Sequence, residues 1–269
     1  MVRVCVWVLG WLVVALLTVS PGSADDGLAT AHARYLRETK GILDIRALQR
    51  SGDGRHHVDV VIVSAGFTAE QGEVFHQACD RLVKSLFSGP TWAKFRKLVN
   101  VHSVLIGDES ADVTRMKVHG YKGHVLGCDN AAAIDYAGHA ADPDATIVLH
   151  NSGYSTAGTG PWGVVVINLS NVDGHMTVTH ELGHGFAGLG DEYIQRSEAF
   201  DGDAADLEET TVNVTPYADP KRCKWHYWTE PEWPGPFGPI KLASGVNVAN
   251  VEGAGWVRGI YRPEEGCAM

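Results

Sequence analysis

The sequence predicts an α/β domain built on a largely parallel, twisted sheet. Two kinds of segment predict it. Compact β-branched runs such as Val58-Asp59-Val60-Val61-Ile62-Val63 and Val164-Val165-Val166-Ile167 read as buried strands, and stretches with helical apolar spacing lie between them. Their alternation is the mark of strand–helix–strand units. With 269 residues, 45% of them hydrophobic and 20% charged, the chain is long enough for one sizeable core. A formal net charge of -10 argues against nucleic acid or an anionic membrane as partner, since either would favour a basic surface.

The elements follow in order. Residues 1–24 read as a secretory signal: Arg3 gives a positive flank, Val4 to Val19 is almost wholly apolar, and Pro21-Gly22-Ser23-Ala24 ends in small residues. The apolar stretch is short against the span of about 20 residues that crosses a bilayer, so the expected location is secreted, periplasmic or otherwise extracytoplasmic, with no membrane contact after cleavage. Residues 25–57 form an N-terminal segment in which Tyr35, Leu36, Ile42, Leu43, Ile45 and Leu48 suggest an edge strand or hairpin. After the strand at Val58, Thr68 and Gln71 form a capping-box pair for a helix to about Phe87, with Val74, Phe75, Ala78, Leu82 and Leu86 on its apolar side. Trp92 to Leu98 suggests a short second helix. Val101 to Ile106 and Thr146 to Leu149 are strands, Asn130 to Ala140 a helix, and Gly153 to Gly163 a glycine-rich loop.

Beyond Tyr193 the character changes. Ser197 to Glu209 is acidic and poor in apolar residues, and reads as a surface loop. Pro231, Pro234, Pro236 and Pro239 crowd one stretch and exclude helix or central strand there. In an oxidising compartment the four cysteines left after signal removal suggest Cys79–Cys128 and Cys223–Cys267 bridges, the second tying an irregular C-terminal part.

The chemistry concentrates in His180-Glu181-Leu182-Gly183-His184. Side chains four apart on a helix point the same way, so both imidazoles can grip one metal ion, one per chain, with Glu181 beside it as general base. Val172, Met176, Val178 and Leu182 give this helix an apolar backing. An open zinc site needs a third protein donor. A donor seven residues on would lie about 10 Å further along a continuous helix, so the chain must turn back, and Gly185, Gly188 and Gly190 permit it. Asp191 is the expected third ligand and Glu192 its rival. Tyr193, His226 and Tyr261 are candidate donors to an oxyanion, Arg262 is expected to pair with Glu252, and Trp225 and Trp228 are expected in the core. Asn168 and Asn213 begin sequons, Asn168 at the end of a strand.

The run from His180 to Tyr193, HELGHGFAGLGDEY, resembles the signature of the IgA-peptidase family of zinc metallopeptidases. Asn213-Val214-Thr215, Lys224-Trp225, Glu252-Gly253-Ala254-Gly255, Tyr261-Arg262-Pro263, Cys267 and Met269 resemble its later blocks in order, and the strand from Asp59 to Ser64 and the Asn151 loop also fit. The resemblance implies a zincin-like catalytic domain over residues 58–269, one zinc held by His180, His184 and Asp191, Glu181 as catalytic base, and peptide or protein substrates. Members are often larger, with extra domains that direct substrate choice, so immunoglobulin itself is not the expected substrate. Met269 is expected as an apolar floor beneath the metal. Two other readings stand beside this one: a metal-stabilised binding module without activity, and a zinc hydrolase of a non-peptide amide. The oligomeric state has no signature in the sequence.

Overall fold

The computed structural model describes residues 31–121, 124–152, 157–159, 163–226, 248–263 and 269. The signal-like residues 1–24, the proline-rich stretch, Trp228 and Cys267 lie outside them. By contacts the chain divides into two compact units, Met1–Leu43 and Asp44–Met269. In the first, a helical turn at Leu36–Lys40 ends at Gly41, whose φ of 71° only glycine adopts without strain. The chain then enters β1 (Ile42–Gln49).

The second unit is organised by a mostly parallel sheet. Its strands are β1, β2 (Val58–Ala65) and β3 (Val99–Ile106), then β6 (Ala145–His150), β7 (Gly158–Thr159) and β8 (Val164–Asn168), in the order β1-β3-β2-β6-β8-β7. The β2, β3, β6 and β8 pairs run parallel and in unbroken register. The near-continuous apolar sequence of β2, β6 and β8 matches burial on both faces: Val60 to Val63, Ile147 to Leu149 and Val164 to Ile167 are essentially inaccessible. A hairpin of β4 (His119–Tyr121) and β5 (His124–Gly127) forms a separate two-stranded sheet, with β5 beside β7 and β8.

Helix α1 (Gly72–Leu86) follows β2 and starts where expected, with Gln71 Oε1 accepting from the Thr68 N–H at 3.0 Å. Phe75, Ala78, Leu82 and Leu86 are buried, whereas Val74 is 46% exposed and belongs to the solvent face. Trp92 to Leu98 is a single helical turn at Pro90–Ala93 and a 3-10 turn at Arg96–Leu98. Helix α2 (Asn130–Ala137) is capped by Asp129, whose carboxylate accepts from Ala132 N. The metal-motif helix α3 (His175–Ala187) packs beside α1 and against β7 and β8. Val172, Val178 and Leu182 are its buried backing, while Met176 is 52% exposed.

The expected Cys79–Cys128 bridge is not formed: Cys79, Cys128 and Cys223 are free thiols. Cys267, the expected partner of Cys223, lies outside the described residues. Topology explains the first pair. The chain crosses from β2 to β3 in one direction and from β3 to β6 in the other, so right-handed crossovers place α1 and α2 on opposite faces of the sheet. Cys79 is buried within α1 and Cys128 precedes α2. Burial raises both thiol pKa values, that of Cys128 to about 12. Cys223 points its thiol at the Pro220 carbonyl, 2.9 Å away.

The acidic stretch after residue 193 also departs from expectation. It holds β9 (Ile194–Ala199) and helix α4 (Ala204–Thr210), the latter capped by the Asp203 carboxylate. β9 pairs parallel with β11 (Trp256–Arg262), which pairs antiparallel with β10 (Val251–Ala254). Leu207, Phe200 and Val257 pack on a small core of Val214, Ala254 and Ile260. No helix among the described residues is long and apolar enough to cross a membrane.

Candidate metal centre

Helix α3 ends abruptly, and the ending builds the site. Gly188 takes φ 64°, its N–H returns to the His184 carbonyl (3.1 Å), and Leu189 N donates to Gly183 O (3.0 Å). This left-handed cap reverses the chain direction. The Leu189 carbonyl then lies 2.5 Å from His184 Nδ1, and Asp191 comes back over the helix. Its Oδ1 stands 3.2 Å from His180 Nε2 and 3.2 Å from His184 Nε2, while the two Nε2 atoms are 3.1 Å apart. These three residues are the group of donors close enough together to hold a metal ion among the described residues.

The donor set fits a small divalent cation. With a proton on Nδ1 bonded to Leu189 O, His184 directs a bare lone pair from Nε2 at a carboxylate oxygen. Two acceptors at that distance repel unless a proton or a metal ion lies between them. A tetrahedral zinc sphere with bonds of 2.0–2.1 Å has edges of about 3.3–3.4 Å, close to the 3.1–3.2 Å seen here. Burial pushes the His184 pKa down, but the bonds to Asp191 and the Leu189 carbonyl, with the charges of Asp191 and Glu181, outweigh it and leave it raised. A proton and a metal ion therefore compete for the same lone pair.

Glu181 lies on the flank of α3 that faces the sheet edge and is 8% exposed. Its Oε2 accepts from Thr159 Oγ1 at 2.7 Å, and the same hydroxyl lies 3.0 Å from the Glu181 carbonyl. Thr159 belongs to β7, the edge strand paired antiparallel with β8 inside the expected glycine-rich loop. Only the neighbouring strand reveals it, because Gly158-Thr159 has no apolar periodicity.

Glu192, the rival ligand, is buried, and its Oε1 accepts from Asn213 Nδ2 at 2.6 Å. Asn213 itself is 8% exposed with its amide engaged, which removes it as a glycosylation acceptor in the folded chain. Asn168 is fully buried and equally unsuited. Of the candidate oxyanion donors, Tyr193 stacks on the His180 ring (centroids 6.1 Å). His226 Nδ1 lies against the Cys223 carbonyl, and Tyr261 sits in β11 opposite Thr215. Arg262 donates to the backbone carbonyls of Glu252 and Gly253 rather than to the Glu252 carboxylate. Trp225 is buried, with its indole N–H on Ala249 O.

Met269 is buried and packs against the helix: a β-carbon on Gly183 would stand 2.5 Å from its sulfur. With Leu182, Phe186 and Trp92 it lines an apolar cavity of about 480 Å³ on that side of α3. A larger polar cavity of about 550 Å³ holds Asp59, Asn100 and His102 and none of the three converging donors, so size does not mark the chemical centre.

No curated protein matches the chain. The family model described as IgA Peptidase M64 matches residues 46–248, a span that contains the whole His180–Asp191 constellation.

Proposed function

We propose, for a chain that belongs to the IgA Peptidase M64 family and is thereby a metallopeptidase acting on peptides or proteins, that it is an extracytoplasmic endopeptidase with one zinc ion held by His180, His184 and Asp191. The observation that carries this reading is the convergence of two imidazole nitrogens and one carboxylate oxygen at mutual distances of 3.1–3.2 Å. A zinc ion bound there supplies a Lewis acid for the scissile carbonyl and brings the pKa of water down to about 7.

The protein's own groups do the rest. Glu181 takes the proton of the attacking water and returns it to the departing amine nitrogen, as a base and then an acid. Its Oε2 is engaged by Thr159, which leaves Oε1 for the proton. The Leu189 carbonyl fixes the His184 tautomer, so that Nε2 faces the donor cluster. Tyr193, stacked beside His180, is the best placed of the candidate donors to a developing oxyanion. Residues 58–269 form the catalytic domain in this reading, and residues 1–24 are removed on export.

The engagement of Glu192 by Asn213 favours three protein donors and an open position over a closed structural site. Metal analysis of the purified protein, paired with a digest of proteome-derived peptides with and without chelator, tests the reading. One zinc per chain and chelator-sensitive cleavage are expected, and Glu181→Gln should keep the zinc while losing about 10²–10⁴-fold in turnover. Undiminished cleavage by that variant would refute the mechanism. Intact peptides beside turnover of a small non-peptide amide would point to the other hydrolase.

A further inference from the structure

Asp191 sits in a turn, residues 188–193, that belongs to no helix or strand. A donor on irregular backbone keeps its place only if something outside the turn fixes it. Beyond the two bonds of the helix cap, the backbone bonds to the turn among the described residues are single: Val212 N to Gly188 O, Gly255 N to Asp191 O, and Glu192 N to Met269 O. One side chain does more. Asn213 Oδ1 accepts from Gly190 N at 2.7 Å, and its Nδ2 donates to Gly190 O at 2.9 Å and to Glu192 Oε1 at 2.6 Å. The residues on both sides of Asp191 are thus tied to one buried amide. An amide carries an acceptor oxygen and an NH2 with two donors on separate atoms, which lets it bond both backbone groups of one residue and a third partner together.

Asn213 is itself held. Lys224 Nζ donates to the carbonyls of Thr211 and Val214, on either side of it, and Thr215 exchanges backbone bonds with Tyr261 at 3.0 and 2.8 Å. The chain of support runs from the Lys224 ammonium through the 211–214 loop to the Asn213 amide and on to the turn.

We propose that Asn213 is a positioning residue for the metal centre, holding the Asp191 carboxylate against His180 and His184 so that the three donors are assembled before a cation arrives. The proposal rests on reading those three residues as ligands. Partners of ligands outside the coordination sphere typically carry about 10–100-fold of metal affinity. The same amide keeps Glu192 as a support of the turn.

The test is the zinc dissociation constant, measured by competition with a chelating dye on the full chain, for wild type, Asn213→Ala, Asp191→Ala and the double variant. Asn213→Ala should weaken binding about 10–100-fold, with the circular dichroism of the metal-free protein unchanged. In the Asp191→Ala background the second substitution should add less than about twofold, because distant loosening is additive and action through one residue is not. An unchanged constant in Asn213→Ala overturns the proposal, and so does an equal loss in both backgrounds. Should Asn213→Ala fail to fold, Asn213→Asp takes its place in the cycle. It keeps the shape, loses both Nδ2 bonds and sets a carboxylate against Glu192. A wild-type chain that takes up no zinc sinks the ligand assignment itself, an outcome distinct from either of these.

Discussion

Gly183 lies between the two histidines on the helix, and replacing it with alanine tests what lies beneath the metal centre. Two effects of opposite sign compete. In a helix interior, alanine is better than glycine by about 0.8–1.0 kcal/mol. Against that, the new methyl would stand 2.5 Å from Met269 Sδ and 3.0 Å from Met269 Cε, and only at an ordinary 3.5 Å from Leu189. Sδ and Cε are the far end of a flexible side chain that can swing aside, so the cost falls at the low end of the usual overpacking range, about 1 kcal/mol. Gly183→Ala should therefore be near neutral. In a Met269→Ala background the obstruction is gone, and the same substitution should stabilise by about 1 kcal/mol. Urea unfolding of the four metal-free proteins at equal m-values gives both numbers and their difference, a coupling of about 1 kcal/mol. If Gly183→Ala stabilised the wild type as much as the Met269→Ala protein, Met269 would not be seated under this helix.

The thiols offer an independent check. Buried Cys79 and half-buried Cys128, their pKa values raised by desolvation, should resist alkylation at pH 8 in the native state and react fully once unfolded without reductant, as mass spectrometry would report. A Cys79–Cys128 cross-linked peptide in a non-reduced digest would contradict the sheet topology. Thr159→Val removes a hydrogen bond to a carboxylate, worth about 1.5–3 kcal/mol for a charged partner. It should lower kcat about tenfold or more with KM and zinc content unchanged, and Thr159→Ser should restore most of the rate. Equal kcat in Thr159→Val would mean that Glu181 needs no such support.

What could be read from the sequence follows from what is local. β2, β6 and β8 are runs rich in β-branched residues buried on both faces, and such runs announce themselves. The pairing of His180 with His184 is set by helical spacing, and the return of Asp191 by the impossibility of reaching the metal along a straight helix. The misses are non-local. β9 exists because Ile194 and Ala199 find β11 partners near residue 257, and its own sequence, IQRSEA, has little strand character. The acidic helix α4 is anchored through Leu207 on Val214, Ala254 and Ile260, although its Asp203 cap was visible. Thr159 and Asn213 act on residues more than twenty positions away. The Cys79–Cys128 expectation failed because sequence proximity ignores which face of the sheet each crossover occupies.

The central claim is that two imidazoles and one carboxylate hold the metal. X-ray absorption at the zinc edge of the reconstituted wild-type protein tests it most directly. The account predicts a shell of four nitrogen and oxygen atoms at about 2.0–2.1 Å, with two imidazole rings in the outer scattering and no sulfur. A sulfur shell at about 2.3 Å would place the ion on a cysteine and contradict it.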